Sequence, residues 1–352
     1  MWQRFKKIVV NIHMKYLLGV AVFGILFIAM EKLSISIQDI DVFNSDSIND
    51  IFNKIKDVQI IYGKIKPIFY IIFIIDIILI VFKVKLKEQG INILVVNGLG
   101  KNNSNIMTNY LYEEKAEYDI SDVINKLNGY YEGYSQIVKD IDYYAKSFMN
   151  LKNANNYAFA GILQTPFILR LGYIVGDETY FKLFHKKRDE DTFKLLKDNK
   201  TYIGNYPEMN IERELKESNE LIVSIGTTFK ITKEQLKKFD VDKNNYIKFE
   251  TTDMGYDVIE SEEQINHYKK IIFDSIREIC REKNIKTIHL CMSTSVAFTF
   301  ALGQGFSKNY DPDVIIYNYE KQEYVWGLKL FEKSEDSIIN LKNTLNEQIR
   351  NT

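Results

Sequence analysis

The sequence is poor in the residues that build metal sites and disulfides, and it has no excess of positive charge. It has two cysteines and four histidines among 352 residues. Cys280 and Cys291 each lie within an apolar pattern, as is usual for small buried side chains in a reducing compartment. The histidines are far apart and show no ligand spacing, so a metal centre has little support. The formal net charge of −1 gives no general attraction for a DNA or RNA duplex, and a nucleotide would need a local site.

The sequence also lacks the common catalytic and nucleotide-binding motifs. Residues 97–104 carry two glycines before a helical pattern but match neither G-x-G-x-x-G nor Walker A, so an ordinary turn and a ligand contact are both open. No nucleophile–base pair or paired carboxylate site can be recognised. We therefore expect a protein that is not an enzyme and needs no cofactor.

Two apolar segments lie near the N-terminus, at about residues 8–30 and 67–84. Each is close to the roughly 20 residues that a spanning helix needs. Basic residues precede the first segment and follow the second, so the positive-inside rule places both ends in the cytoplasm. A cleaved signal peptide is the alternative for the first segment, but no small-x-small cleavage site follows Met30. We predict a membrane region over 1–89 with two transmembrane helices.

Asp76 interrupts the second segment near the expected middle of the bilayer. An ionised carboxylate is costly there, so this side chain should face another helix, face a water path, or be protonated. Two roles stay open: a polar contact that packs the helix pair, and a pore-lining or assembly group once many copies cluster.

The rest of the chain contains one pattern twice. In the second copy, an apolar run at 287–292 leads into three hydroxyl residues, an apolar helical pattern that closes on Gly303, and a β-branched run at 314–317. Strand, turn, helix and strand in this order are typical of a β-α-β unit. The first copy closes its helix on Gly172 and has its second strand at 180–185. The two glycines are about 130 residues apart, a typical domain length.

Each copy follows another apolar strand pattern, at 91–98 and at 221–226. Residues 201–219 are polar and without periodicity, so they are the expected joint between the copies. We therefore predict an α/β fold of two tandem Rossmann-like units, over 90–200 and 220–352.

Three helices are predicted in the second unit. Residues 233–239 and 334–350 have apolar residues at helical spacing, and Ser261 with Gln264 forms a capping box before another helix.

The stretch from Ile288 to Gly303, continued at 313–317 and 324–326, resembles the C-terminal signature of SAVED domains. These domains are two fused CARF-like units that sense cyclic oligonucleotides in bacterial CBASS anti-phage systems. With its two apolar segments, the whole chain is similar to the transmembrane-SAVED effectors of those systems.

The resemblance implies a membrane effector of anti-phage defence. A CD-NTase-type nucleotidyltransferase would make the cyclic oligonucleotide, expected to be a cyclic trinucleotide. Binding would drive homo-oligomers or filaments, whose clustered transmembrane helices disrupt the inner membrane and kill or arrest the cell. Both termini and the SAVED domain of this multi-pass protein would be cytoplasmic. Two alternatives stay open: a membrane-tethered ring nuclease or nucleotide-processing enzyme, and a ligand-gated channel of fixed stoichiometry.

Ligands of open α/β sheets bind beyond the carboxyl ends of the strands, and the resemblance implies a cleft between the two units. Hydroxyls and backbone N–H groups at helix starts can hold phosphates, although helix capping alone also accounts for them. Phe229 could stack on a base or belong to the core, and Arg170 is expected to face the cleft or a subunit contact. The basic run 185–188 could reach a phosphate or simply be solvated. The candidate ligand-binding residues are Gln164, Thr165, Arg170, Gly226, Thr227, Thr228, Phe229, Ser293, Thr294 and Ser295.

Overall fold

The computed structural model describes residues 67, 74, 90–98, 106–107, 112–127, 130, 133–150, 156–186, 192–197 and 206–341. The chain divides into two compact units, Met1–Gly90 and Ile91–Thr352. The spans predicted at 8–30 and 67–84, apart from residues 67 and 74, lie outside the described residues, and so does Asp76. Within the described residues, no helix has both the length and the apolar character needed to cross a bilayer.

The described part of the first half contains a six-stranded sheet in the order β2-β6-β5-β4-β1-β3. Its elements are β1 (Gly90–Asn97), β2 (Ile106–Met107), β3 (Tyr112–Asp119), α1 (Ser121–Leu127), α2 (Tyr134–Met149), β4 (Tyr157–Ile162), α3 (Thr165–Val175), β5 (Phe181–Lys186) and β6 (Phe193–Leu195). Strands β1, β4 and β5 are parallel, and β1 is buried along its whole length. Burial on both faces explains why β1 reads as a nearly continuous apolar run.

Residues 206–341 contain a seven-stranded sheet in the order β13-β12-β11-β10-β8-β9-β7. Its elements are β7 (Met209–Glu214), β8 (Glu220–Gly226), β9 (Asn245–Thr251), α4 (Glu262–Glu282), β10 (Thr287–Ser293), α5 (Val296–Gly305), β11 (Asp313–Glu320), β12 (Glu323–Lys329) and β13 (Ile338–Asn340). The four central strands are parallel, and β7, β12 and β13 are antiparallel to their neighbours.

The two sheets repeat one strand order over five positions. The run β6-β5-β4-β1-β3 in the first sheet corresponds to β12-β11-β10-β8-β9 in the second. Helix α3 follows β4 just as α5 follows β10. The structure thus confirms a mixed α/β fold, and the matching strand orders agree with the predicted duplication.

Two predicted helices take another form. Residues 233–239 form turns that end in a 3-10 turn at Lys237–Phe239. The helix predicted from 334 is wrong at its start, because a 3-10 turn at Ser334–Asp336 leads into β13. The free edge of β12 offers this segment a ladder, in which Leu328 pairs with Ile338, and the pairing outweighs a helical pattern. Residues 342–350 lie outside the described residues.

The capping signal at the start of α4 is confirmed. The Ser261 hydroxyl accepts the backbone N–H of Gln264 at 3.2 Å, and the Gln264 side chain accepts the backbone N–H of Glu260 at 2.9 Å. The helix start is therefore fixed from both sides, close to the arrangement that the sequence predicts.

Helices α3 and α5 join the two halves through direct backbone contact. A Cβ on Gly172 would lie 2.1 Å from the carbonyl oxygen of Phe300, and a Cβ on Gly303 would lie 2.2 Å from that of Leu169. No side chain fits at such distances. A helical glycine costs about 1 kcal/mol relative to alanine, and the close contact explains why both helices have glycine at the point where they touch.

Aromatic rings continue this interface on both sides of the helix pair. Phe300 of α5 stacks on Phe159 of β4, with ring centroids 4.1 Å apart and planes inclined by 7°. Trp326 of β12 packs against Phe167 of α3 at 5.2 Å and against Tyr134 of α2 at 4.9 Å. One hydrophobic core therefore contains residues of both halves.

Arg170 ties the halves together with polar contacts. Its side chain is buried and forms a bidentate ion pair with Asp142 of α2, at 2.9 Å from Nε and 2.6 Å from Nη2. Its Nη1 donates to the backbone carbonyls of Leu330 and Glu332, which follow β12. Arg170 thus neutralises a carboxylate of the first half and satisfies carbonyls of the second.

We expect Gly172→Ala to lower the free energy of unfolding by about 3 kcal/mol, because the added methyl would meet a backbone carbonyl that no rotamer change can move. Thermal unfolding of the full chain, followed by circular dichroism, measures the loss. The matched control is Gly255→Ala, where an added Cβ would meet only the side chain of Val258 at 3.6 Å. Equal stability of the two variants would contradict the proposed backbone contact.

Candidate functional site

A cleft of about 520 Å³ opens where the carboxyl ends of parallel strands from both halves meet. The first half lines it with the ends of β4 and β5 and the first residue of α3. The second half lines it with the ends of β10 and β11, the first turn of α5, and the loops after β8 and β9. This edge is where open α/β sheets bind ligands.

Six of the ten predicted binding residues line this cleft: Thr165, Thr228, Phe229, Ser293, Thr294 and Ser295. Three more lie just before lining residues in the chain: Gln164 before Thr165, and Gly226 and Thr227 before Thr228. The structure thus brings together residues of both halves that are more than a hundred positions apart. Arg170 does not line the cleft.

The structure replaces the ligand contact predicted for Arg170 with the ion pair to Asp142 and the two carbonyl contacts described above. A cation within an apolar helix must have a partner, and the sequence pattern cannot tell a ligand from a carboxylate on a neighbouring helix. Asp142 is the partner that sequence reasoning missed.

The three hydroxyl residues between the end of β10 and the start of α5 have structural partners. Ser293 Oγ accepts the backbone N–H of Phe229 at 3.1 Å. Thr294 donates to Thr299 at 2.7 Å, since the hydroxyl of Thr299 itself donates to the carbonyl of Ser295 at 3.0 Å. Ser295 caps α5 by accepting a backbone N–H at 3.3 Å. Because Ser293 and Ser295 accept these bonds through oxygen, their hydroxyl protons can still reach a ligand.

The turn after β8 folds back onto the end of β10. The backbone N–H groups of Thr227 and Thr228 both donate to the carbonyl of Ser293 at 2.9 Å. A Cβ on Gly226 would lie 2.8 Å from the carbonyl oxygen of Phe229, so this turn needs glycine. The buried hydroxyl of Thr227 has no hydrogen-bond partner within the described residues. Gly226 and Thr227 therefore shape the turn that carries Thr228 and Phe229 into the cleft.

Helix α3 begins differently from its counterpart α5. Gln164 occupies the N-cap position of α3, where Ser295 stands in α5. Among the described residues, no side chain caps α3, and Gln164 Oε1 is buried without a partner. The start of α3 at Thr165 thus faces the cleft without the cap that α5 has. Helix N-termini favour negative charge.

Exposed aromatic rings stand on the second-half side of the cleft. Phe229 is 55% exposed and Tyr256 is 39% exposed, and their rings meet edge to face at 5.1 Å. Tyr319 at the end of β11 also lines the cleft, and its hydroxyl accepts from Gln235 at 2.5 Å. Sequence analysis missed both tyrosines. Tyr319 follows the strand-end rule, whereas Tyr256 lies in a loop that no local pattern connects with the cleft.

Two basic side chains line the first-half side, His185 and Lys186 at the end of β5. His185 Nε2 lies 2.9 Å from Asp257 Oδ1 of the second half. No acidic residue is present among the described residues that line the cleft. The other two members of the basic run, at 187–188, lie outside the described residues.

A larger depression of about 1050 Å³ lies at the amino ends of β10 and β11. Four carboxylates line it, those of Asp274, Glu278, Asp311 and Asp313, together with three cations, Arg277, Arg281 and Lys286. Arg277 pairs with Asp311 at 2.8 Å. The depression therefore has a mixed lining with more acidic than basic residues, whereas the described lining of the cleft contains basic and no acidic residues.

Two kinds of catalytic group, a metal ion and a reactive thiol, have no support in the described part of the chain. No cluster of His, Cys, Asp and Glu there could hold a metal ion. Burial raises the pKa of the Cys280 thiol to about 12 and raises that of Cys291 further above its ordinary value. Both thiols are therefore protonated at neutral pH and unreactive.

A family model of SAVED, described as the SMODS-associated and fused to various effectors sensor domain, matches residues 141–330. A search of curated proteins gave no match. Among solved structures, the Acinetobacter baumannii Cap4 SAVED/CARF-domain containing receptor with the cyclic trinucleotide 2′3′3′-cAAA is similar, with a TM-score of 0.49 and 16% identity over 81% of this chain and 66% of that chain.

The same receptor with 3′3′3′-cAAA gives a TM-score of 0.48 and 16% identity over 80% of this chain and 66% of that chain. The Moraxella osloensis Cap4 SAVED/CARF-domain containing receptor gives a TM-score of 0.44 and 16% identity, over 69% of this chain and 50% of that chain. The chain thus spans at most about two thirds of the length of these receptors. Because the SAVED family model matches more than half of the 352 residues, the chain belongs to the SAVED family of sensor domains.

Proposed function

We propose that this protein senses a cyclic oligonucleotide, and specifically a cyclic trinucleotide, in the cleft between its two halves. The observation that carries the proposal is the convergence of two helix starts, one from each half, on a cleft with exposed aromatic rings and basic side chains. Helix starts and basic groups suit phosphates, and exposed rings suit bases.

A ring of several nucleotides fits this arrangement better than a single nucleotide does. The duplication places two strand-end crevices side by side, so a ligand with several nucleotide units can contact both halves at once. The volume of about 520 Å³ lies within the range of ligand pockets, and the cleft is open to solvent. The class of ligand follows from the sequence resemblance, and the sensor role follows from the family.

Binding without turnover is the proposed activity of the cleft. Ser293 and Ser295 are engaged in turn and capping contacts, and one ring nitrogen of His185, Nε2, is engaged by Asp257. A ring nuclease would instead need a positioned base beside a ribose hydroxyl. Chromatography of the cyclic oligonucleotide after incubation with the protein separates the two functions, because only the enzyme would linearise it.

We further propose that the sensor is part of an inner-membrane effector of anti-phage defence. Residues 8–30 and 67–84 would cross the membrane and leave the sensor in the cytoplasm, where a CD-NTase-type nucleotidyltransferase supplies the ligand. Bound ligand would complete a face that fits the next copy. A head-to-tail contact that does not close propagates as a filament, so one binding event per copy is enough to cluster the helices.

We expect a cyclic trinucleotide to raise the melting temperature of the full chain in detergent, because a ligand at 100 times its Kd stabilises the folded state by about 2.7 kcal/mol. Thr165→Trp should abolish this shift by filling the cleft. Asn309→Trp, an exposed position in the depression at the amino ends of β10 and β11, should keep it. A panel of cyclic di-, tri- and tetranucleotides identifies the ligand by thermal shift. If the ligand raised the melting temperature of both variants equally, its binding site would lie outside the cleft.

We expect liposomes that contain the full chain to release an enclosed dye when the stabilising ligand is added, and to retain the dye without it. Asp76→Asn should change the rate of release and leave the Kd unchanged, because the carboxylate lies in the predicted membrane segment far from the cleft in sequence. Asp242→Asn, an exposed site in the sensor, is the control. Identical release by the wild type and Asp76→Asn would exclude a functional role for that carboxylate.

A further inference from the structure

We infer that the two walls of the cleft have different roles, so that a cyclic oligonucleotide lies in it with one orientation. The second-half wall, formed by Phe229, Tyr256 and Tyr319, receives bases. The first-half wall, formed by Thr165, His185 and Lys186, receives phosphates. This inference rests on the proposed function and adds which half contacts which part of the ligand.

The aromatic rings of the second-half wall are exposed but held in place. Phe229 is 55% exposed, yet its backbone N–H is fixed by the hydroxyl of Ser293, and its ring meets Tyr256 edge to face. Tyr319 is held through its hydroxyl by Gln235. Rings that are already positioned lose little conformational entropy when a base stacks on them.

The polar groups on the same wall are largely engaged with each other. Ser295 caps α5, Thr294 donates to Thr299, and the N–H groups of the turn after β8 donate to the carbonyl of Ser293. Of these hydroxyls, those of Ser293 and Ser295 keep a proton for a ligand, and no basic side chain of the second half stands beside them in the described lining of the cleft. This wall therefore favours the apolar face of a base over an anion.

The first-half wall has the opposite character. It carries both basic side chains of the cleft lining, and α3 begins at Thr165 without the side-chain cap that α5 has. The partial positive charge of the helix start and the ammonium group of Lys186 act on the same side, while Nε2 of His185 is engaged by Asp257. This wall therefore favours phosphates.

Equivalent positions of the two halves show the divergence directly. Phe159 pairs with Leu183 in the first sheet, and Leu290 pairs with Ile316 in the second. Phe159 and Leu290 are equivalent, because each lies equally far in sequence from the glycine of its own helix, Gly172 or Gly303.

Three residues after Leu183, β5 carries Lys186, and three residues after Ile316, β11 carries Tyr319. Both side chains line the cleft. One position in the repeated fold thus presents an ammonium group in the first half and a phenol ring in the second. A duplicated site that bound two identical parts of its ligand would not require this difference.

The test is equilibrium binding of cyclic tri-AMP, and of cyclic trinucleotides that contain guanine or uracil, to the full chain at a series of salt concentrations. Phosphate contacts give a salt-dependent Kd, with a slope of about 0.7 for each contact to a flexible strand. Lys186→Gln should reduce the slope by about that amount. Phe229→Ala should weaken binding on the order of 10- to 100-fold at every salt concentration and leave the slope unchanged.

The matched controls are Lys308→Gln and Tyr310→Ala, which change an exposed lysine and an exposed aromatic residue outside the cleft and should alter neither quantity. Thermal unfolding of each variant confirms that it is folded. A reduced slope in Phe229→Ala with an unchanged slope in Lys186→Gln would overturn the assignment of the walls while keeping the cleft as the binding site. If the wild type binds none of these ligands, the proposed function fails and the inference fails with it.

Discussion

The contact between Gly172 and Gly303 determines how close the two halves of this sensor can be. Without side chains at these positions, α3 and α5 touch backbone to backbone, and their N-terminal ends come to lie at one edge of the molecule. Strands β4 and β10, which lead into these helices, are brought together by the same contact. Two crevices that each half would form at its own strand ends thereby become one cleft, lined by residues of both.

The duplicated fold does not have duplicated chemistry at the cleft. Topology repeats over five strands, and the helix contact is nearly symmetric. The side chains that reach the cleft differ, because Ser295 caps its helix and Gln164 does not, and because Lys186 stands where the other half has Tyr319. A shared backbone with diverged surface residues can hold a ligand whose repeating units are similar while still fixing its orientation. Such divergence is expected where function resides in the site rather than in the fold.

Much of the fold follows from local sequence patterns. The β-α-β order, the closing glycines and the Ser261 cap depend on residues that are close in sequence, so local patterns are enough to predict them. The ion pair of Arg170 with Asp142 depends on how α2 packs, and β13 depends on a free strand edge. Neither is visible in the periodicity of its own segment. At the site, strand ends predicted Ser293 and Thr165, but Tyr256 reaches the cleft from a loop whose path only the tertiary structure shows.

Hydrogen exchange of the full chain, with and without a cyclic trinucleotide, tests the central claim most directly. If the ligand lies across the two helix starts, exchange should slow at the first turns of α3 and α5 and in the turn after β8, which belong to different halves but one cleft. Joint protection of these segments is the predicted result. Protection confined to one half, or to the depression around Tyr310, would contradict a binding site shared by the two halves.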